Sequence, residues 1–278
     1  MTDKRILTIQ DISCVGQCSL TVALPIISAC GVETCVLPSA VLSTHTGGFT
    51  GYTFRDLTED MPAILKHWQK EGIRFDGFYT GYLGSARQID YVRDIFKGAG
   101  NPGSLKIVDP AMADNGQLYP GFDAVYVEAM KKLCGEADII LPNITEACLL
   151  TDSEYKEDYG EGDIDALLEK LSRGSQTVLI TGVSYAADKT GVVVYEKEEK
   201  RYYEHRQIEG GCHGTGDIYA SAFVGALMNG HGVYDSARIA ADYTLRCIEN
   251  TQDAGNHWYG ARFEGVLPEL IGMLQSKS

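Results

Sequence analysis

The chain has 278 residues, 44% hydrophobic and 22% charged, enough to bury a core without disulfides or a structural metal. Its 24 Lys and Arg against 38 Asp and Glu leave a net charge of −14, which argues against a polyanion-binding surface and hence against nucleic acid as a partner. No run of about 18 apolar residues occurs, and the first ten residues lack a signal-peptide core and cleavage site, so no membrane partner and a cytoplasmic location are expected.

Strand-like and helix-like segments alternate from end to end. Ile6–Gln10 reads as a strand, Ser19–Cys30 as a helix stopped by Gly31, and Glu33–Leu37 as a strand ended by Pro38. Residues 39–52 read as a Thr, Ser and Gly loop. Thr58 is expected to cap a helix to about Glu71, with Gly72 after it. A strand over Gly77–Thr80 follows, then a helix through Ile89, Val92 and Phe96 closed by Gly98, a strand over Leu105–Val108, a helix over Phe122–Leu133 and a strand over Ile139–Leu141. Thr145–Leu150 opens another helix, Asp152–Asp163 is an acidic loop, Ile164–Leu171 a helix and Thr177–Thr181 a strand. Gly191–Tyr195 and Arg201–His205 form a hairpin pattern. Ile218–Met228 is apolar on all sides and reads as a buried helix, and two more helices, about Tyr234–Glu249 and Arg262–Leu274, close the chain.

Strands joined by helical crossovers predict an α/β architecture of three layers: a central, mainly parallel sheet with helices on both faces, in one domain spanning residues 1–278. In such sheets ligands bind outside the carboxyl ends of the strands, which points to Asp11, Tyr82, Asp109, Asn143 and Thr181. The eight cysteines contain no Cys-x-x-Cys pair and read as reduced thiols.

The most informative motif is Gly214-Thr215-Gly216-Asp217 at the mouth of the buried helix. Glycines allow close approach of backbone N–H groups to an anion, and the first-turn N–H groups of a helix have no intrahelical partner. Asp217 is then a cap or a general base, and Gly210 and Gly211 upstream exceed what a plain cap needs. Asn143-Ile-Thr-Glu146 reads either as a capping box or as a pair facing a metal–phosphate cluster. Asp109-Pro110 with Asp114 reads as a turn former or as carboxylates that help hold a divalent ion, and His45-Thr46-Gly-Gly48 as a substrate loop with glycine hinges. Trp258-Tyr259 reads as packing. Gly98–Gly103 fits G-x-G-x-x-G but follows a helix and precedes a strand, the reverse of a dinucleotide site, and no Gly-Lys dipeptide exists to make a Walker A loop.

Gly214-Thr-Gly-Asp217, Asn143-x-x-Glu146 and Ile9-Gln-Asp11 together resemble the ribokinase superfamily, and within it the vitamin B6 kinases. The resemblance runs from about Ile6 to the end of the Asp217 helix. It implies a ribokinase-like fold, a homodimer and ATP- and Mg²⁺-dependent phosphorylation of a pyridine hydroxymethyl group, with a monovalent cation such as K⁺ as a further cofactor. By the same resemblance Asp217 is the base, and the backbone of Gly214, Thr215 and Gly216 is the anion hole. Asp109 and Glu146 are the metal-side carboxylates. Asp114, Asn143, Thr181 and His213 serve ATP and its phosphates, and Asp11, His45, Thr46 and Tyr82 bind the small pyridine alcohol. Many B6 kinases carry Ser where this chain has Asp11. His213, Tyr82-Leu-Gly-Ser85 and Asp109-Pro-Ala-Met112 lean toward the hydroxymethylpyrimidine kinases of thiamin synthesis, which typically carry Cys where this chain has Asp217. The alternatives are therefore such a pyrimidine kinase, or a non-catalytic vitamer- or nucleotide-binding module of the same fold.

Overall fold

The computed structural model describes residues 4–172, 176–208, 212–252 and 257–276. Nine strands form one sheet: β1 (Arg5–Ser13), β2 (Glu33–Leu42), β3 (Phe54–Asp56), β4 (Phe75–Thr80), β5 (Gly100–Val108), β8 (Ile139–Ile140), β9 (Thr177–Val183), β10 (Lys189–Glu196) and β11 (Glu199–Arg206). Their order is β11-β10-β9-β8-β5-β4-β1-β2-β3. The six central strands run parallel, and β3 at one edge and the β10–β11 hairpin at the other are antiparallel. A separate two-stranded hairpin, β6 (Ala113–Asp114) and β7 (Gln117–Leu118), stands off the sheet.

Helices α1 (Leu20–Ala29), α7 (Thr215–Asn229), α8 (Val233–Gln252) and α9 (Leu267–Gln275) cover one face. Helices α2 (Met61–Glu71), α3 (Ala86–Ala99), α4 (Ala124–Gly135), α5 (Ile144–Leu150) and α6 (Glu161–Leu171) cover the other. The period of two sorts side chains between the two cores: Ile6, Ile107, Leu179, Val192 and Val194 face α1 and α7, while their neighbours Leu7, Val108, Val178, Ile180 and Val193 face α2 to α6. Each Ile, Val or Leu so buried contributes roughly 1.5–3 kcal/mol. In α3, Ser85 accepts a hydrogen bond from the Gln88 amide at 3.3 Å, and Ile89, Val92, Ile95, Phe96 and Ala99 bury one stripe.

The expected architecture is present, and the departures are local. β2 runs through Pro38 to Leu42, because β3 pairs only with residues 40–42 and leaves β2 an open side where the missing N–H is tolerated. Thr58 does not cap α2: its side-chain oxygen accepts from Gln88 Nε2 at 2.9 Å, and the helix starts at Met61. α3 passes through Gly98 to Ala99, since Gln88 to Ala99 supply a continuous buried face. Gly98–Gly103 straddles the end of α3 and the start of β5, with no helix start there to bind phosphate. All eight cysteines are free thiols. Among the described residues no helix is long and apolar enough to cross a membrane.

Candidate active site

From β1 the chain crosses to β2 on one side, then returns to β4 on the other. The first crossover puts α1 on one face and the later ones put α3 to α6 on the opposite face, the topological switch outside which sheets of this kind bind ligands, here the carboxyl ends of β1 and β4. Asp11, Tyr82 and Asp109 lie at this end, on or just after β1, β4 and β5. Asn143 and Thr181 meet there in an isolated parallel bridge, with the Thr181 amide donating to the Pro142 carbonyl at 3.0 Å.

α7 points its N-terminus into the same region. Gly214 takes φ +78°, and a Cβ there would stand 1.7 Å from the Gln17 carbonyl oxygen, so only glycine lets the turn after β1 pack on this helix start. The first intrahelical bond is Ile218 N–H to Gly214 C=O at 3.0 Å, so the amides of Thr215, Gly216 and Asp217 are left over by the helix. Asp217 sits in this first turn, partly accessible. Burial pushes its carboxyl up to about 7, opposed by the Ser19 amide and reinforced by the Asp11 charge. A carboxyl raised in this way with no cation beside it differs from an ordinary surface helix cap. Gly210 and Gly211 lie outside the described residues.

Asn143 and Glu146 do form a reciprocal capping box: Glu146 N–H donates to Asn143 Oδ1 and Asn143 N–H to Glu146 Oε2, both at 2.9 Å. The same pair holds the β6–β7 hairpin. Met112 N–H donates to Glu146 Oε1 at 3.0 Å, Asn143 Nδ2 to the Ala113 carbonyl at 2.8 Å, and Gly116 N–H to Thr145 Oγ1 at 3.0 Å. Each Glu146 oxygen keeps a lone pair beyond these bonds. Burial drives the Glu146 carboxyl to about 7 against those amide donors, and burial together with the charges of Glu146 and Asp217 drives Asp109 well above the usual carboxylate range. Asp114 is exposed at the hairpin, its side chain bonded to Asn115. No ion pair within the described residues involves Asp11, Asp109, Glu146 or Asp217.

The loop after β2 leans over this end. His45 is buried and both ring nitrogens are engaged: Nδ1 accepts from Gly47 N–H at 3.0 Å, and Nε2 lies 2.9 Å from the Tyr259 carbonyl, to which it donates in the matching tautomer. A Cβ on Gly16 would fall 2.0 Å from its Cδ2, so the turn after β1 clasps the ring. Its edges meet Phe49 (5.1 Å) and the exposed His213 (5.4 Å), and Phe49 meets Trp258 at 4.6 Å. His45 thus acts as a strut that leaves only its ring face to a ligand, which narrows the substrate-binding role expected of it. Thr46 is exposed on this loop. Tyr82 stacks on Phe122 at 5.4 Å, and burial with the nearby Asp11 charge pushes its phenol to about 12.

The fold therefore gathers Asp11, Asp109, Glu146 and Asp217 at one end of the sheet, where the charges of Glu146 and Asp217 raise Asp109 and that of Asp11 raises Asp217, and sets His45, Thr46 and His213 on the loops beside them. Trp258-Tyr259 is more than packing: Trp258 is 53% exposed, and the Tyr259 carbonyl takes hydrogen bonds from His45 and Gln17. Tyr119 went unnoticed in the sequence, although the charges of Glu146, Asp109, Asp114 and Asp217 all reach its phenol. Its only signal was its place a few residues past a strand-end Asp. Ser13, whose hydroxyl donates to Asp11 at 2.9 Å, carried no motif.

A leftover helix amide row, a half-buried carboxylate raised toward neutrality and strand-end acids on a three-layer sheet define a small-molecule kinase of the ribokinase-like class. The phosphomethylpyrimidine kinase family model matches residues 24–261, and the chain belongs to that family. A Bacteroides thetaiotaomicron protein, provisionally assigned as a phosphomethylpyrimidine kinase, superposes with a TM-score of 0.92 at 39% identity over 97% of this chain and 94% of its own. A second crystal form of it contains pyridoxal (TM-score 0.90, 37% identity, 100% and 97% covered). Pyridoxal kinase from Lactobacillus plantarum superposes at 0.90 with 31% identity, over 97% of each chain. The pyridoxine/pyridoxal/pyridoxamine kinase of Bordetella bronchiseptica is 26% identical over 265 residues, 90% of each chain.

Proposed function

We propose that this chain phosphorylates the 5′-hydroxymethyl group of a B6 vitamer with ATP, as part of pyridoxal phosphate salvage. The observation that carries the mechanism is Asp217, held near neutrality beside unused amides. The vitamer oxygen attacks the γ-phosphorus, the bond from that phosphorus to the β–γ bridging oxygen breaks, and ADP leaves. Asp217 takes the hydroxyl proton as the new bond forms, since a primary alcohol is too weak an acid to ionise first. The amides of Thr215 and Gly216, with the positive end of α7, face the oxygens of the phosphoryl in flight. Thr181, Asn143, Asp114 and His213 are assigned to the nucleotide side, and Asp11, Thr46, Tyr82 and the ring face of His45 to the vitamer side.

The donor set fits Mg²⁺. Asp109 and Glu146 are oxygen donors that crowd negative charge without a Lys or Arg partner. Among the described residues no three His, Cys, Asp or Glu converge as a metal site, so these two carboxylates would share the ion with phosphate oxygens and water. Bound there, Mg²⁺ neutralises charge on the transferring phosphates. We assign the chain to the cytoplasm as a homodimer of single-domain subunits, which sedimentation velocity and cell fractionation check.

The test is a panel of pyridoxal, pyridoxamine, pyridoxine and hydroxymethylpyrimidine with ATP and Mg²⁺, read for phosphorylated products. We expect the B6 5′-phosphates, loss of turnover with a chelator, and a response to replacing K⁺ by tetramethylammonium if a monovalent cation takes part. Product from the pyrimidine alone would favour the second reading, which His213, Tyr82-Leu-Gly-Ser85 and Asp109-Pro-Ala-Met112 support. Vitamer binding without any product would leave a binding module. Asp11 supports a finer expectation: as a carboxylate on the vitamer side it would favour the cationic amine of pyridoxamine over the aldehyde of pyridoxal. Asp11→Ser should erase that preference, and an unchanged ratio of specificity constants would remove it.

A further inference from the structure

Residues 257–261, after α8, bond to three loops at the carboxyl end of the sheet. The Tyr259 carbonyl accepts from Gln17 N–H at 3.2 Å, in the turn after β1, and lies 2.9 Å from His45 Nε2, in the loop after β2. Ala261 N–H donates to the His213 carbonyl at 3.1 Å, in the turn that leads into α7. Gly260, at φ +147°, packs so tightly that a Cβ there would stand 2.4 Å from the Gln17 Cβ. Gln17 Nε2 donates in turn to Glu264 Oε1 at 2.6 Å.

The Trp258 side chain adds a further contact. Gly48 takes φ +83°, and the indole fills the space where its side chain would be: a Cβ there would stand 2.9 Å from Trp258 Cζ3. Phe49 meets the same indole with ring centroids 4.6 Å apart, and meets His45 edge-on at 5.1 Å. Gly47 is covered likewise, its absent Cβ lying 3.0 Å from His213 Cε1. Both glycines that would let the loop bend are therefore stopped by a ring from a distant part of the chain. Trp258 is 53% exposed, so core burial does not account for its place, whereas the ring pair with Phe49 does.

We propose that Trp258 is a positioning residue: its indole, seated on Gly48 and Phe49, holds the loop after β2 in the conformation that binds the vitamer, and the backbone of 259–261 fixes that seat relative to the turns before α1 and α7. This rests on the reading of His45 and Thr46 as vitamer contacts. A glycine-bearing loop left free would lose conformational entropy each time a ligand ordered it, and holding it beforehand removes that cost from binding. Trp258 meets the loop on the vitamer side, so its effect falls on vitamer binding and leaves phosphoryl transfer and ATP binding alone.

Steady-state kinetics with the vitamer and ATP varied in turn test this. Trp258→Ala should raise KM for the vitamer roughly three- to tenfold, the range an aromatic pair contributes, while kcat and KM for ATP stay within about twofold of wild type. Trp258→Phe keeps a ring over Gly48 and should recover most of the loss. Phe49→Ala should also raise KM for the vitamer, and the double variant should show less than the product of the two single effects, because both remove the same contact. Should Trp258→Ala not fold, Trp258→Leu takes its place in the same cycle. A vitamer KM within about twofold of wild type, a loss in kcat or in KM for ATP instead, or single effects that multiply in the double variant would each overturn the proposal. Wild-type protein that forms no 5′-phosphate sinks the kinase reading itself. Active wild type whose vitamer KM is indifferent to residue 258 sinks only the role of Trp258.

Discussion

Glu249 on α8 and Asp217 on α7 are carboxylates on neighbouring helices of the same layer, in opposite surroundings. Glu249 is paired with Arg206 and, at 2.8 Å, with Arg246, and those guanidinium groups hold it below the usual carboxylate range. Asp217 has no cation and is pushed up to about 7 by burial. The contrast extends to the whole chain. Asp163 at the surface is lowered by Lys156, whereas Asp11, Asp109 and Glu146 at the carboxyl end of the sheet are all raised. Where the fold needs only solubility it pairs its acids. At the carboxyl end of the sheet it leaves Asp11, Asp109, Glu146 and Asp217 without a cation beside them.

The sharpest way to break this contrast is Asp217→Asn. We expect kcat to fall roughly 100-fold or more, with KM changed little, in steady-state assays. Turnover near wild type would return Asp217 to the status of a helix cap. Gly214→Ala should come next, destabilising the fold by about 3 kcal/mol or more in urea titration, because the added methyl meets the Gln17 carbonyl at a positive φ. Glu146→Gln should cost about 1–3 kcal/mol, since a single amide oxygen cannot accept from both Met112 and Asn143, and should raise the Mg²⁺ concentration needed for half-maximal rate.

The pH dependence sharpens the same contrast. A base near 7 must be ionised to act, so kcat/KM should fall about tenfold per pH unit below that value. Stability moves the other way. The native carboxyls at 217 and 146 keep protons up to about 7, whereas the unfolded chain loses them near roughly pH 4. The native state therefore binds more protons across that window, and this contribution to stability is lost as pH rises through it. Asp217→Asn should accordingly melt higher than wild type at pH 8 and alike near pH 4, by calorimetry. The smallest effect belongs to the paired acids: Glu249→Gln should change stability by less than about 1 kcal/mol and leave kcat alone.

The layers of this protein were legible in the sequence because each period of two or 3.6 records which side of a strand or helix meets the core. Ile6, Leu7, Val178 and Leu179 sort to their faces by that rule alone. The helix start at Asp217 was legible for a local reason too, since Gly214 takes φ +78°, a conformation that favours glycine. Pro38 and Thr58 misled because strand length depends on which neighbour pairs, and capping on which hydroxyl is free.

What sequence by itself determined was the run of elements and the residue types able to move a proton or touch phosphate. The tertiary structure alone decided which of them meet. The packing of α7 against α1 and the turn after β1 brings Asp217 within reach of the charge of Asp11, 206 positions earlier. The same packing engages both nitrogens of His45. Such relations depend on distances across the fold, and Coulomb and hydrogen-bond energies follow those distances rather than position along the chain.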